Sequence, residues 1–223
     1  MIETFPQIQN WVISRTSEAS RYLLPISMLY YYTQDEKYKK ALFEVANNFL
    51  LNHQVACGAI QEWDNSQKEV ARSGDVGVFH ENGEPISDQL YCTSFASMNL
   101  WIAYKATGEK IFLDKFFKLT DYLVRIQIQS DYKVINGGWM RAFDFENWEY
   151  YGSNADTAWG PYCMETGWTN SIIDIAIALF LSDDPFFPTE TREEARRSLR
   201  EIRSKLEALN SKWNQERTLT HNQ

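Results

Sequence analysis

A repeat constrains this chain more than any other feature of its sequence. Thr33-Gln34-Asp35-Glu36-Lys37-Tyr38, Thr107-Gly108-Glu109-Lys110-Ile111-Phe112 and Ser182-Asp183-Asp184-Pro185-Phe186-Phe187 each close an apolar, aromatic-rich segment. They start at positions 33, 107 and 182, steps of 74 and 75 residues. A constant period means one supersecondary unit used again and again. Each short motif is turn chemistry between two stretches of helical periodicity.

The unit reads as helix, tight turn, helix, long connection. Leu23, Ile26 and Tyr30 precede the first turn at helical spacing, and Leu42, Val45, Ala46, Phe49 and Leu50 follow it as one buried face. Phe95, Met98 and Ile102 precede the second turn, and Leu113, Phe116, Phe117 and Leu123 follow it. In the third unit Ile172 to Leu181 is apolar nearly all round, which calls for burial on several sides. After Pro188, Thr191 and Glu194 have capping-box spacing, and Leu199, Ile202, Leu206, Leu209 and Trp213 form one stripe. The hairpins therefore run over about 17–53, 87–129 and 164–215 of one domain, residues 1–223. First helices that are aromatic and small-polar, with second helices that are plainly amphipathic, call for an inner and an outer layer. Pro25 falls inside the first helix, as a cap or a kink. No strand-period segment has convincing length, so the fold class is all-α, with room for short β pairs in the long connections.

Charge narrows the partners. A net charge of -8 argues against nucleic acid, which needs clustered Lys and Arg. Arg192, Arg196, Arg197, Arg200 and Arg203 alternate with Glu193, Glu194 and Glu201, the pattern of a salt-bridged solvent face. No apolar run is long enough for a membrane span. No basic start followed by an apolar stretch marks a signal peptide, so a cytoplasmic protein is the default expectation. Cys57, Cys92 and Cys163 are too scattered for a metal site and read as buried free thiols. No cofactor and no metal are expected.

Chemistry belongs in the long connections, about 54–88 and 130–164, because the short turns leave no room. Eight Trp, twelve Tyr and thirteen Phe exceed ordinary core needs, and many of them crowd the second connection. Both connections leave a second helix and return to a first helix, so they emerge at a common end. Connections on opposite ends, or paired into a sheet, would remove the shared pocket and the saccharide reading that depends on it. Converging there are Glu62, His80, Asp88 and Tyr91 from the first, and Trp139, Arg141, Asp144, Trp148, Asn154, Asp156, Trp159, Glu165 and Trp168 from the second and its end. Flat rings stack on a pyranose while carboxylates, amides and Arg bind its hydroxyls, and two carboxylates can act as acid and base or as acid and nucleophile. Arg141 also suits a substrate carboxylate.

Each residue has a plainer reading. Asp88 follows Pro85 and starts a helix, so it or Ser87 serves equally well as an N-cap. Asp156 fits an Asx turn, and Glu165 fits a backbone-satisfying role. Asp144 reads best as a structural partner of Arg141, Glu62 and His80 as loop residues, and Trp139, Trp159 and Trp168, taken singly, as core anchors.

Several stretches resemble the six-hairpin glycosidase-like superfamily, the (α/α)6 toroids, and within it the C-terminal part of a bacterial glycoside hydrolase branch that includes glucuronidases. They are Ala19-Ser20-Arg21-Tyr22-Leu23-Leu24-Pro25, Gly58-Ala59-Ile60-Gln61-Glu62, Glu81 through Tyr91, Arg141-Ala142-Phe143-Asp144, and Asn154-Ala155-Asp156 through Glu165-Thr166-Gly167-Trp168. The resemblance implies a glycoside hydrolase-like domain acting on an oligosaccharide, with uronic acids among the candidate sugars. Asp88, Asp156 and Glu165 are the acid/base candidates, and Glu62, His80, Tyr91, Trp139, Arg141, Asp144, Trp148, Asn154, Trp159 and Trp168 the substrate contacts. Three hairpins make half of such a toroid, which implies an upstream half or a homodimer. The alternatives are a non-catalytic or degenerate carbohydrate-binding fragment, a polysaccharide lyase or epimerase using Tyr91 or His80 as base, and a helical scaffold for protein partners.

Overall fold

The computed structural model describes residues 15–62, 85–151, 164, 170–187, 204, 205 and 207. Two compact units divide the chain, Met1–Pro185 and Phe186–Gln223. In the second, Ser204, Lys205 and Glu207 are helical and exposed; the capping box and the Leu199-to-Trp213 stripe lie outside the described residues.

The first unit contains α1 (Arg15–Thr33), α2 (Glu36–Phe49), a 3-10 turn (Leu51–His53), β1 (Ile86–Asp88), a π turn (Gln89–Thr93), α3 (Ser94–Thr107), α4 (Lys110–Ile126), β2 (Ala142–Asp144), β3 (Glu149–Tyr151) and α5 (Ser171–Leu181). It is helix-rich with a small three-stranded sheet, order β1-β2-β3. α3 lies between α1 and α5 in one row, with α2 packed on α1 and α4 on α3. α1 runs without a break through Pro25.

The repeat seen in the sequence recurs atom by atom at the turns. The hydroxyl of the last helical threonine or the following serine bonds back to the carbonyl four residues earlier: Thr33 to Leu29 at 2.6 Å, Thr107 to Ala103 at 2.7 Å, Ser182 to Ala178 at 2.7 Å. The next residue turns left-handed each time, with φ +54° at Gln34, +72° at Gly108 and +55° at Asp183. In the first two turns the same oxygen accepts the second following N–H, from Asp35 at 3.3 Å and Glu109 at 3.2 Å. One small hydroxyl thus ends a helix and starts the reversal. Thr107→Val keeps the shape and removes both bonds; urea denaturation should show a loss of about 1 kcal/mol. An unchanged midpoint would make this hydroxyl incidental.

Burial separates the two helices of the second hairpin, whereas α5, expected to be buried on several sides, buries only Ile173 and Ala176 and leaves Ile175 and Leu181 exposed. α3 is covered almost all round, from Ser94 through Ala103 apart from a half-covered Phe95. α4 buries one face only: Phe112, Phe116, Leu119, Tyr122, Leu123 and Ile126. Between them Trp101 meets Phe116 at 5.7 Å and Phe180 at 5.4 Å, and donates its indole N–H to the Asp184 carbonyl at 2.7 Å. The rings thereby join the second hairpin to α5. Small residues let α1 approach α3: Ser17, Ser20, Ser94 and Ser97 are all buried, and the Asn99 amide donates to the Ser20 carbonyl at 2.7 Å.

The first connection folds back at its start. Gln54 pairs with Ile60, the Gln54 amide donates to the Gly58 and Lys115 carbonyls at 3.1 and 3.0 Å, and the tip at Gly58 sits on α4. At the start of the second connection Ile128 donates its N–H to the Gly138 carbonyl at 2.9 Å and accepts the Gly137 N–H at 2.8 Å.

Candidate functional site

Both connections come to one end of the helices, and there they pair. β1, from the end of the first connection, lies antiparallel to β2 from the second, with Asp88 opposite Ala142 and Ile86 opposite Asp144. β2 and β3 form a hairpin, with Phe143 opposite Tyr150. The Glu62 N–H donates to the Ile86 carbonyl at 2.8 Å, so the first connection also meets itself there. The described parts of the two connections therefore form a packed floor, and the open pocket expected between them is filled by the sheet.

Asp88 ends β1 and caps the π turn that leads into α3. Its Oδ1 accepts the Tyr91 N–H at 2.6 Å, and its Oδ2 lies 3.4 Å from Arg141 Nη2. The residue has no exposed surface. Burial pushes its carboxyl above the ordinary value; Arg141 and the Tyr91 and Leu90 N–H groups offset part of that. Of its two readings the cap is realised, and the carboxyl is enclosed. A π turn at the start of an inner helix is itself a common mark of functional sites.

Around this pair stand Arg21, Tyr91 and Glu18. Arg21 sits 5.6 Å and Arg141 5.9 Å from the Tyr91 ring centre, and Arg21 lies 5.1 Å from that of Phe95. Arg21 also pairs with Glu18 at 3.5 Å, whose carboxyl is raised by burial and only partly offset by Arg21. Arg21 and Glu18 were not among the candidate residues. Nothing local marks them, because only the packing of α1 on α3 brings them to Tyr91.

The other candidates divide. Asp144 does not serve Arg141: its Oδ1 accepts the Glu146 and Asn147 N–H groups at 3.0 and 2.9 Å, and its Oδ2 the Asn147 amide at 2.9 Å. Burial raises this carboxyl, but the bonds from Asn147 and Glu146 outweigh it and hold it below the ordinary value. The reason is register, since Asp144 opposes Ile86 at the far end of the ladder from the Asp88–Ala142 pair. Trp139 is 1% exposed and gives its indole N–H to the Leu123 carbonyl at 2.8 Å, so it anchors the core and offers no stacking face. Glu62 is buried. Of the cysteines, Cys92 is buried and Cys57 half-buried. His80, Asn154, Asp156, Trp159, Glu165, Trp168 and Cys163 lie outside the described residues. Among the described residues no three His, Cys, Asp or Glu gather as metal ligands, and no helix is long and apolar enough to cross a membrane.

Trp148 stands apart. It is 44% exposed and has φ +56°, a backbone state that costs a bulky residue about 1–3 kcal/mol. Its ring meets Phe143 edge-on at 5.2 Å and Tyr122 at 6.2 Å, and the Arg125 guanidinium lies 5.3 Å away. A hollow of about 390 Å³ opens here between the end of α4 and the β2–β3 hairpin.

Fold and site together define a helix-rich, repeated-hairpin domain with a buried carboxylate–guanidinium pair under a small sheet at one end. No protein-family model matches the chain, and no curated protein and no solved structure is similar to it at a significant level.

Proposed function

We propose that the chain is a hairpin-repeat part of an α/α toroid that processes carbohydrate, acting on an oligosaccharide that carries a uronic acid. One juxtaposition carries the reading. Arg141 and Arg21 flank the Tyr91 ring at the end where both long connections meet, and Asp88 holds Arg141 there. Arg21, with its side chain 27% exposed, offers the cation to a ligand carboxylate, while Arg141 is buried against Asp88. The sugar then lies against the floor made by the connections rather than between them. Asp88 acts as a positioning residue, and the acid and base roles go to Asp156 and Glu165, whose carboxyls must stand about 5–10 Å apart for that chemistry. A homodimer or an upstream half would complete the ring of hairpins.

A panel of aryl glycosides and aryl glucuronides tests this. Glu165→Gln should lower glucuronide turnover by about 10²–10⁴-fold. Arg21→Gln should raise KM for glucuronides and leave KM for neutral glycosides in place. A second reading, a non-catalytic carbohydrate-binding domain, would be selected by binding of the panel without turnover. Neither binding nor turnover of any member would sink both.

A further inference from the structure

The hollow beside Trp148 is separate from the arginine cluster. It is lined by residues of α4's last turn, β2 and β3, whereas Asp88 belongs to β1 at the other edge of the sheet. We propose that this hollow is a second saccharide subsite, which takes a neutral pyranose ring against Trp148.

Three observations lead there. The first is the platform. Phe143 meets Trp148 at 5.2 Å and Tyr150 at 5.5 Å, both edge-on, so a rigid ring cluster backs a half-exposed indole. A left-handed turn position is most easily filled by glycine or asparagine. A tryptophan there pays in backbone strain and leaves much of its ring in water, which a packing role alone does not explain.

The second is the polarity of the rim, which is rich in acceptors. The Tyr150 hydroxyl donates to the Ile126 carbonyl at 3.2 Å, which leaves its oxygen free to accept. The Gln127 amide NH2 donates to the Gly137 carbonyl at 2.7 Å, which turns its carbonyl oxygen into an acceptor for a ligand. Glu149 is exposed beside them. Acceptors on a rim suit a ligand whose polar groups are hydroxyl donors.

The third is charge. Arg125 gives Nε to Asp121 at 3.1 Å and Nη2 to the Cys57 carbonyl, so its cation is already engaged. With Glu149 added, the hollow carries no surplus positive charge. That disfavours phosphate and uronate and favours a neutral sugar, whose C–H face lies on the indole while its hydroxyls reach Glu149, Gln127 and Tyr150. A volume of about 390 Å³ suits a ring or two.

This inference rests on the carbohydrate reading but not on its chemistry, and the test separates them. Cello-, xylo-, malto- and manno-configured tetrasaccharides are titrated into the full chain by calorimetry and by saturation-transfer NMR. At least one neutral series should bind. Trp148→Ala should weaken that binding about tenfold or more, and Trp148→Tyr should retain part of it. Should Trp148→Ala fail to fold, Glu149→Gln and Tyr150→Phe read the same rim, and each should weaken the same series. No binding by any neutral series, or binding indifferent to all the rim variants, overturns the subsite. Neutral-sugar binding without glucuronide turnover keeps the subsite and removes the acid/base proposal; glucuronide turnover without neutral-sugar binding does the reverse.

Discussion

Gly58→Ala should destabilise the first unit by about 3–5 kcal/mol, as large a cost as emptying a core site. Gly58 has φ +103°, and a Cβ there would stand 2.2 Å from the Lys118 carbonyl oxygen and 3.0 Å from Tyr122 Cβ. The nearest obstacle is helix backbone, which cannot rotate aside as a long side chain can. Relief requires lifting the tip of the first connection off α4. That gives up the Gln54 bonds to Gly58 and Lys115 and the Arg125 contact with the Cys57 carbonyl, at about 1 kcal/mol each. For a unit of this size the melting temperature should fall by about 6–15 °C. Gly108→Ala is the matched control: φ is also positive, +72°, yet nothing lies within 4 Å of the added carbon, so only the backbone penalty of about 1–2 kcal/mol applies. Equal losses in the two variants would mean that the tip does not press on α4.

Arg141→Met should cost about 3–5 kcal/mol, because it strands a buried carboxylate. Arg141 and Asp88 side chains are 3% and 0% exposed. Asp88→Ala should cost a similar amount, since it removes the ion pair with Arg141 and the cap from Tyr91. Removing both groups together, in Asp88→Ala with Arg141→Met, should cost less than the two single changes summed, which a double-mutant cycle reads as coupling. The pH dependence has a definite sign. Burial raises the folded-state value of Asp88 above 3.8, against the opposing pull of Arg141. Between those two values the folded state holds a proton that the unfolded state has released. The contribution of Asp88 is therefore fully present below about pH 4 and is lost as pH rises through the raised folded value. Asp144, whose folded value is lowered, works the other way, contributing above about pH 4 and losing that as pH falls. Asp88→Asn should accordingly flatten the decline of stability on the rising side of pH 4, and Arg141→Met should extend it to higher pH. Parallel profiles for wild type and Asp88→Asn in urea titrations would show that Asp88 keeps its ordinary proton affinity.

The hairpins were legible because their causes are local. A helix stripe repeats every three or four residues, and the turn hydroxyls at Thr33, Thr107 and Ser182 act on carbonyls four residues away. The cap at Asp88 was legible for the same reason, as it serves an N–H three residues on. The site was legible only as a neighbourhood. Asp88 and Arg141 both stood out, yet their pairing did not, because they are 53 positions apart. Trp139 and Trp148 were both candidate substrate contacts, and one became core, as its plainer reading had it, while the other stayed half in water.

The sequence by itself determined the helix pairs α1–α2 and α3–α4, the turns at Thr33, Thr107 and Ser182 and the two connections, since each of these follows from contacts within about a turn of helix. Only the tertiary structure decided that β1 pairs with β2, that Arg141 turns to Asp88 while Asp144 closes a hairpin, and that Arg21 reaches Tyr91. Strand register inverts which side a residue faces with a shift of one position, and nothing in a three-residue strand announces that register. It is set by what the helices beneath leave room for.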